Sequence, residues 1–134
     1  MKLFRKIFKP DEIKSVLDVL NEAEHSFNSP AFCLISENIK GAISKYPERV
    51  VDMVRSDKSP RQTVFIMIAN IAGDEVESGK HHLYRGVLNP LGYGSELLKI
   101  YYLALDELVK MGHIDEEEAE ENRLGIKENI KSVG

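Results

Sequence analysis

The spacing of apolar residues predicts a chain built almost entirely from amphipathic helices. After Pro10 the apolar positions recur every three or four residues, at Ile13, Val16, Leu17, Leu20, Ala23 and Phe27. The same spacing returns after Pro30, as one helix or two short ones, at Phe32, Ile35, Ile39, Ala42, Ile43 and Tyr46. A third, shorter helix is predicted between Pro47 and Asp57. Proline suits a first helical turn because the N–H that it lacks would have no partner there.

The segment from Val64 to Ala69 is apolar on every side, so its periodicity fits either a helix or a buried strand. Ser59, Pro60 and Gln62 form a capping-box pattern directly upstream, which favours a helix. No other stretch of the sequence offers a partner strand. We therefore predict a helix that begins at Pro60 and lies at the centre of a bundle.

Two further helices are predicted in the last third of the chain. Ser95 is placed to cap the first of them, which extends through Met111 and is closed by Gly112. Asp115 opens the second, and six of the seven residues from Asp115 to Glu121 are acidic, as expected for a solvated helix face. Residues 10–134 are thus predicted to form a single all-α domain of five to six helices with one long Gly-rich connecting loop.

Composition agrees with a small globular domain. The chain has 134 residues, 43% of them hydrophobic, which is enough for one buried core. A net charge of -4 does not favour nucleic acid, and basic residues between Lys40 and Arg61 are interleaved with acids. The single cysteine, Cys33, excludes an intramolecular disulfide, and its apolar neighbours predict a buried side chain. A reducing, cytoplasmic location fits best.

Residues 1–9 form a separate basic amphipathic segment. Their apolar residues fall on one helical face and their cations on the other. They lack the uninterrupted apolar run that an export signal needs. We expect this segment to dock on the protein's own core or to fray. Membrane contact is the alternative, through Lys2, Phe4, Arg5, Lys6, Phe8 and Lys9.

The Gly79–Glu96 segment is the predicted functional site, because it holds four of the nine glycines and two of the four histidines. Glycines that precede a helix expose backbone N–H groups at its positive end, where a small anion can bind. Arg85 can bind a carboxylate or phosphate through two hydrogen bonds. The candidate binding residues are His81, His82, Tyr84, Arg85, Asn89, Tyr93 and Ser95. The alternative is structural: the glycines permit tight turns, and Arg85 pairs with an acid of the same chain.

Motifs for metals, cofactors and covalent catalysis are not found in the sequence. Adjacent histidines such as His81 and His82 project to different sides of a helix or strand, and Glu22 and His25 make only one copy of a motif that metal-binding bundles use twice. The glycines around Ser95 match neither a nucleophile elbow nor a phosphate-binding loop. We therefore predict no metal and no cofactor.

These observations favour a non-catalytic binding or accessory protein in the cytoplasm. We expect it to engage a protein partner, or itself as a homo-oligomer, through an apolar face and the Gly79–Glu96 segment. One alternative is a small enzyme in which His81 or His82 acts as acid or base beside Arg85 on an anionic substrate. Another is peripheral membrane attachment through residues 2–9.

Overall fold

Six helices make up almost all of the regular structure in the described part of the chain. The computed structural model describes residues 10–77, 83–84, 87–88 and 94–133, with side chains for residues 10–77 and 94–127. The helices are α1 (Asp11–Phe27), α2 (Pro30–Lys45), α3 (Pro47–Asp57), α4 (Pro60–Glu77), α5 (Gly94–Lys110) and α6 (Glu116–Val133). Two strands of two residues each, β1 (Leu83–Tyr84) and β2 (Val87–Leu88), pair antiparallel between α4 and α5. The fold is therefore an all-α bundle, as predicted.

Hydrogen bonds confirm two of the sequence signals for helix starts, those at Ser59 and Asp115. The Ser59 hydroxyl accepts from the backbone N–H of Gln62 at 3.2 Å, and the Asp115 carboxylate accepts from that of Glu118 at 2.8 Å. Each side chain satisfies a donor that has no partner inside the helix. Gly112 follows α5 at a φ of 75°, and the N–H of the next residue reaches back to the Leu108 carbonyl at 2.9 Å. This left-handed turn ends α5 because glycine adopts it without a steric cost.

Helix α4 lies at the centre of the bundle. It contacts the other five helices, which explains why its sequence is apolar on every side. Its buried residues are Thr63, Val64, Phe65, Ile68, Ala69, Ala72, Gly73 and Val76. Arg61 near the beginning of α4 pairs with Glu107 near the end of α5, so these two helices run antiparallel. The prediction of a central helix beginning at Pro60 is confirmed.

A buried polar contact joins α1 to α2. The hydroxyl of Ser36, which is 2% exposed, donates to the carboxylate of Glu24, and Lys40 pairs with the same carboxylate at 3.2 Å. The Ser36 hydrogen bond, and then Lys40, hold the pKa of Glu24 below its ordinary value. This carboxylate is therefore part of the helix packing.

Three sequence predictions are wrong in detail. Cys33 is exposed instead of buried, because it lies one residue beyond the buried Phe32 and so points about 100° away around the helix. Tyr46 is 55% exposed because it follows the last residue of α2 and leaves the apolar face. Ser95 lies inside α5, which begins one residue earlier at Gly94, so it is not the residue that precedes the helix. The Phe32–Ile43 stripe belongs to one helix and not to two.

Candidate functional site

Most residues of the predicted loop site lie outside the described part of the chain. These are His81, His82, Arg85, Asn89 and Tyr93. Tyr84 is described only as backbone in β1, and Ser95 is exposed in the first turn of α5. The anion site and the enzyme that would use these residues therefore stay predictions. The membrane prediction for residues 2–9 also lies outside the described residues.

The described residues form a different candidate site, a groove between α1 and α5. Its volume is about 590 Å³, and the first two turns of α4 form its floor through Arg61 and Phe65. Ala23 of α1 and Ile100 of α5 line it as buried apolar side chains. Leu103 of α5 also lines the groove, yet it is 43% exposed. Leu103 therefore leaves part of an aliphatic side chain open to water inside a concave surface.

Hydrogen bonds and an ion pair fix both ends of the groove. At one end the Glu96 carboxylate accepts from the Ser29 hydroxyl at 2.9 Å and from the Ala31 N–H at 3.4 Å. An acid at the N-terminus of α2 is also favoured by the helix dipole. At the other end Arg61 lies 3.1 Å from Glu107, with its guanidinium 4.9 Å above the Phe65 ring centre. The walls are therefore positioned before any ligand binds.

The charges on the rim differ between the two walls. Every acid that α5 contributes to the groove already has a partner: Glu96 has Ser29, Asp106 has Arg123, and Glu107 has both Arg61 and Lys110. Lys99 of α5 and Glu22 of α1 are exposed, and neither makes an ion pair or side-chain hydrogen bond with a described residue. The α5 wall together with Arg61 therefore carries three acids and three cations, and the α1 wall presents the single carboxylate of Glu22.

A second polar cluster lies between α5 and α6, but its charged groups already pair with one another. Arg123, whose side chain is 17% exposed, bonds to Asp106, Glu116 and Glu120. The Glu116 hydrogen bond, with those from Glu120 and Asp106, raises the pKa of Arg123 above its ordinary value. The Lys127 ammonium lies 5.9 Å from the centre of the neighbouring Tyr102 ring. This arrangement holds α6 against α5.

The described residues hold no metal cluster and no membrane-spanning helix. Within them, no three histidine, cysteine or acidic side chains are grouped closely enough to bind a metal ion. His25 lies 2.9 Å from the Asn21 carbonyl of its own helix. None of the described helices has the length and apolarity needed to cross a bilayer.

Comparison with known proteins gives no match: no family model fits the chain, and no curated protein or solved structure is significantly similar to it.

Sequence reasoning missed the groove. The predicted apolar face of α5 includes Ile100 and Leu108, but Leu103 lies off that face, so the periodicity gives it no packing role. An aliphatic residue off the main stripe is a usable signal, because burial in the protein's own core does not explain it. Only the fold shows that Leu103 lies beside Ile100 in a groove and not on a flat surface.

Proposed function

We propose that the protein is a non-catalytic binding module that accepts an amphipathic helix of a protein partner in the groove between α1 and α5. The observation that carries the proposal is the half-exposed Leu103 in a groove that the buried apolar side chains Ala23, Phe65 and Ile100 also line. Helix-in-groove recognition uses apolar residues at spacings of three and four against such a floor.

The dimensions of the groove support a rod-shaped ligand. The α5 residues that line it extend from Glu96 to Lys110, a length of roughly 21 Å at the helical rise of about 1.5 Å per residue. That length matches about four turns of a partner helix. A volume of about 590 Å³ is also within the range of small-molecule sites, but such sites enclose most of their ligand. Exposed Leu103 is more consistent with a ligand that stays open to water on one side.

The predicted Gly79–Glu96 segment forms the second part of the proposed contact. Glu96 belongs both to that segment and to the groove, and the chain enters α5 at Gly94 beside it. A partner helix lying along α5 would therefore end next to this segment. Arg85 is the residue there best suited to hold a carboxylate of the partner.

A matched pair of leucines tests the groove. The probe is a fluorescent 18-residue helical peptide with four leucines spaced by three and four residues and glutamine on both flanks. Leu103→Glu should weaken its binding at least about tenfold, because a buried leucine is worth about 1.5–3 kcal/mol and a charge replaces it. Leu124→Glu is the control, since Leu124 is 52% exposed on α6 and lies outside the groove. Fluorescence anisotropy gives the affinities.

Far-UV circular dichroism checks that both variants remain folded. The proposal is overturned if Leu103→Glu binds like the unaltered protein, or if both leucine variants lose affinity equally. Arg85→Ala, measured with a peptide that carries an added terminal glutamate, tests the second part of the contact. Equal affinity for that peptide before and after the substitution would remove Arg85 from the interface.

A further inference from the structure

Helix α6 is held against α5 by an attachment that little energy is needed to break. We infer that α6 is a releasable strap: it leaves α5 while the rest of the bundle stays folded, and its departure uncovers an apolar surface around Tyr102 and Leu105. These two residues do not line the groove. The inference therefore goes beyond the proposed function and does not depend on what the groove binds.

Few apolar side chains hold α6 in place. Tyr102 and Asp106 of α5 each contact a side chain of α6, and Leu105 lies three residues after Tyr102 on the same side of the helix. Leu105 is 4% exposed, yet it lies outside the main core cluster of the bundle. Among the α6 side chains that the structure describes, only Ile126 belongs to that cluster. A small satellite cluster of this kind can open while the core stays closed.

The ionic contact of Arg123 is only partly lost when α6 leaves. Arg123 donates to Glu116 and Glu120, each at 3.0 Å, and to Asp106. Glu116 and Glu120 lie on α6 itself, so they can stay with Arg123 when the strap opens. Asp106 is the one of the three that lies on α5, and its side chain is 47% exposed, so water can solvate it after release. Opening therefore leaves no charge buried without a partner.

The hydroxyl of Tyr102 makes the closed junction less stable. Its oxygen is shielded from water, and it has no hydrogen-bond partner among the residues that the structure describes. Burial raises the pKa of this phenol. The Lys127 ammonium lies 5.9 Å from the ring centre, which places the ring beside α6. A buried hydroxyl without a partner has a desolvation cost, and opening removes this cost because water then reaches the oxygen.

The turn that precedes α6 is attached to the rest of the bundle and forms the fixed end of the strap. The side-chain amide of Gln62 in α4 lies 3.1 Å from the ring nitrogen of His113, and Ile114 packs against the main core. The next residue, Asp115, caps α6 by accepting from the N–H of Glu118 at 2.8 Å. This cap is internal to the strap and is kept when α6 moves. The pivot therefore lies between Ile114 and Asp115.

Thiol labelling of the native protein tests the strap, because Cys33 is the only cysteine of the chain. In a full-length Cys33→Ser background, Leu105→Cys places a thiol beneath α6 and Ile68→Cys places one in the buried face of α4. Each labelling rate with an aromatic disulfide reagent is divided by the rate of the same thiol in urea. Leu105→Cys should react at least about tenfold faster than Ile68→Cys, because its exposure needs only local opening.

Circular dichroism checks that both labelled variants are folded. Equal normalised rates for the two thiols would mean that α6 opens only when the whole protein unfolds, and the inference would be overturned.

A pair of tyrosine variants tests the role of the unpaired hydroxyl. In the Leu105→Cys protein, Tyr102→Phe should slow labelling by about fivefold or more, because the closed state no longer buries a hydroxyl without a partner. Tyr101→Phe is the matched control, since the Tyr101 ring lies against Gly73 of α4. It should change the labelling rate by no more than about twofold. Faster labelling after Tyr102→Phe would show that the hydroxyl helps to hold α6 closed, and the inference would again be overturned.

Discussion

Helices α4 and α6 both have 18 residues, but different forces hold them in the bundle. Helix α4 buries eight residues, seven of them apolar or glycine, and it touches every other helix. Over its described side chains, α6 buries only Ala119 and Ile126, and Arg123 ties it to α5 through carboxylates. Because α4 is buried, it should open only when the whole protein unfolds. The few contacts of α6 allow it to open separately at a lower free energy.

The largest expected effect comes from removing apolar volume from α4. Ile68 is completely buried, so Ile68→Ala should lower the free energy of unfolding by about 3 kcal/mol, through lost transfer energy and the cavity left behind. Urea denaturation followed by circular dichroism measures this change. Asn70→Ala, at an exposed position of the same helix, should stay within about 0.5 kcal/mol of the parent. Equal midpoints for the two variants would contradict a central role for α4.

A smaller and local effect is expected when the ionic attachment of α6 is broken. Arg123→Gln removes charged hydrogen bonds to Asp106, Glu116 and Glu120, and the attachment should weaken by about 1–2 kcal/mol. Hydrogen exchange followed by mass spectrometry should show faster exchange in α6 with little change in α4. Salt should reproduce part of this effect in the parent protein.

Arg55→Gln is the control for Arg123. Arg55 makes a single exposed pair with Glu12 at 3.0 Å, and such pairs contribute at most about 1 kcal/mol. Its loss should leave exchange in α6 unchanged. If Arg123→Gln instead accelerates exchange in α4 and α6 equally, the two helices unfold as one unit and the contrast between them is lost.

The same two helices show what the sequence can and cannot predict. Periodicity and capping residues predicted the helical fold, because a helix depends on residues within a few positions of one another. The central position of α4 was predictable because its sequence is apolar on every side. The acidic start of α6 was correctly expected to be solvated, since Glu116, Glu117 and Glu118 are exposed. The groove could not be predicted in this way. It depends on the gap between α1 and α5, which are separated in the chain by the 66 residues 28–93. Contacts such as that of Ser29 with Glu96 set the width of this gap.

The smallest expected change in stability comes from replacing one glycine in each of the two helices by alanine. A β-carbon at Gly125 of α6 would meet nothing within 4 Å, whereas one at Gly73 of α4 would lie 3.1 Å from Cε1 of Tyr101. Alanine is favoured over glycine in a helix interior by about 0.8–1 kcal/mol. Gly125→Ala should therefore stabilise α6 by nearly that amount, and slower hydrogen exchange in α6 would measure the gain. Gly73→Ala should gain little, because the half-buried Tyr101, whose pKa burial raises, must move aside.

The Tyr101 ring can be tested directly as the cause of this difference. In a Tyr101→Leu background, Gly73→Ala should recover a stabilisation of about 0.5–1 kcal/mol, because the atom that opposes the new methyl group is gone. Thermal melts of the four proteins in this double-mutant cycle give the coupling energy. A coupling near zero, with Gly73→Ala as favourable as Gly125→Ala, would mean that α4 tolerates an added methyl as easily as α6. The contrast between the two helices would then lie in their burial and their charges and not in how tightly their glycines are packed.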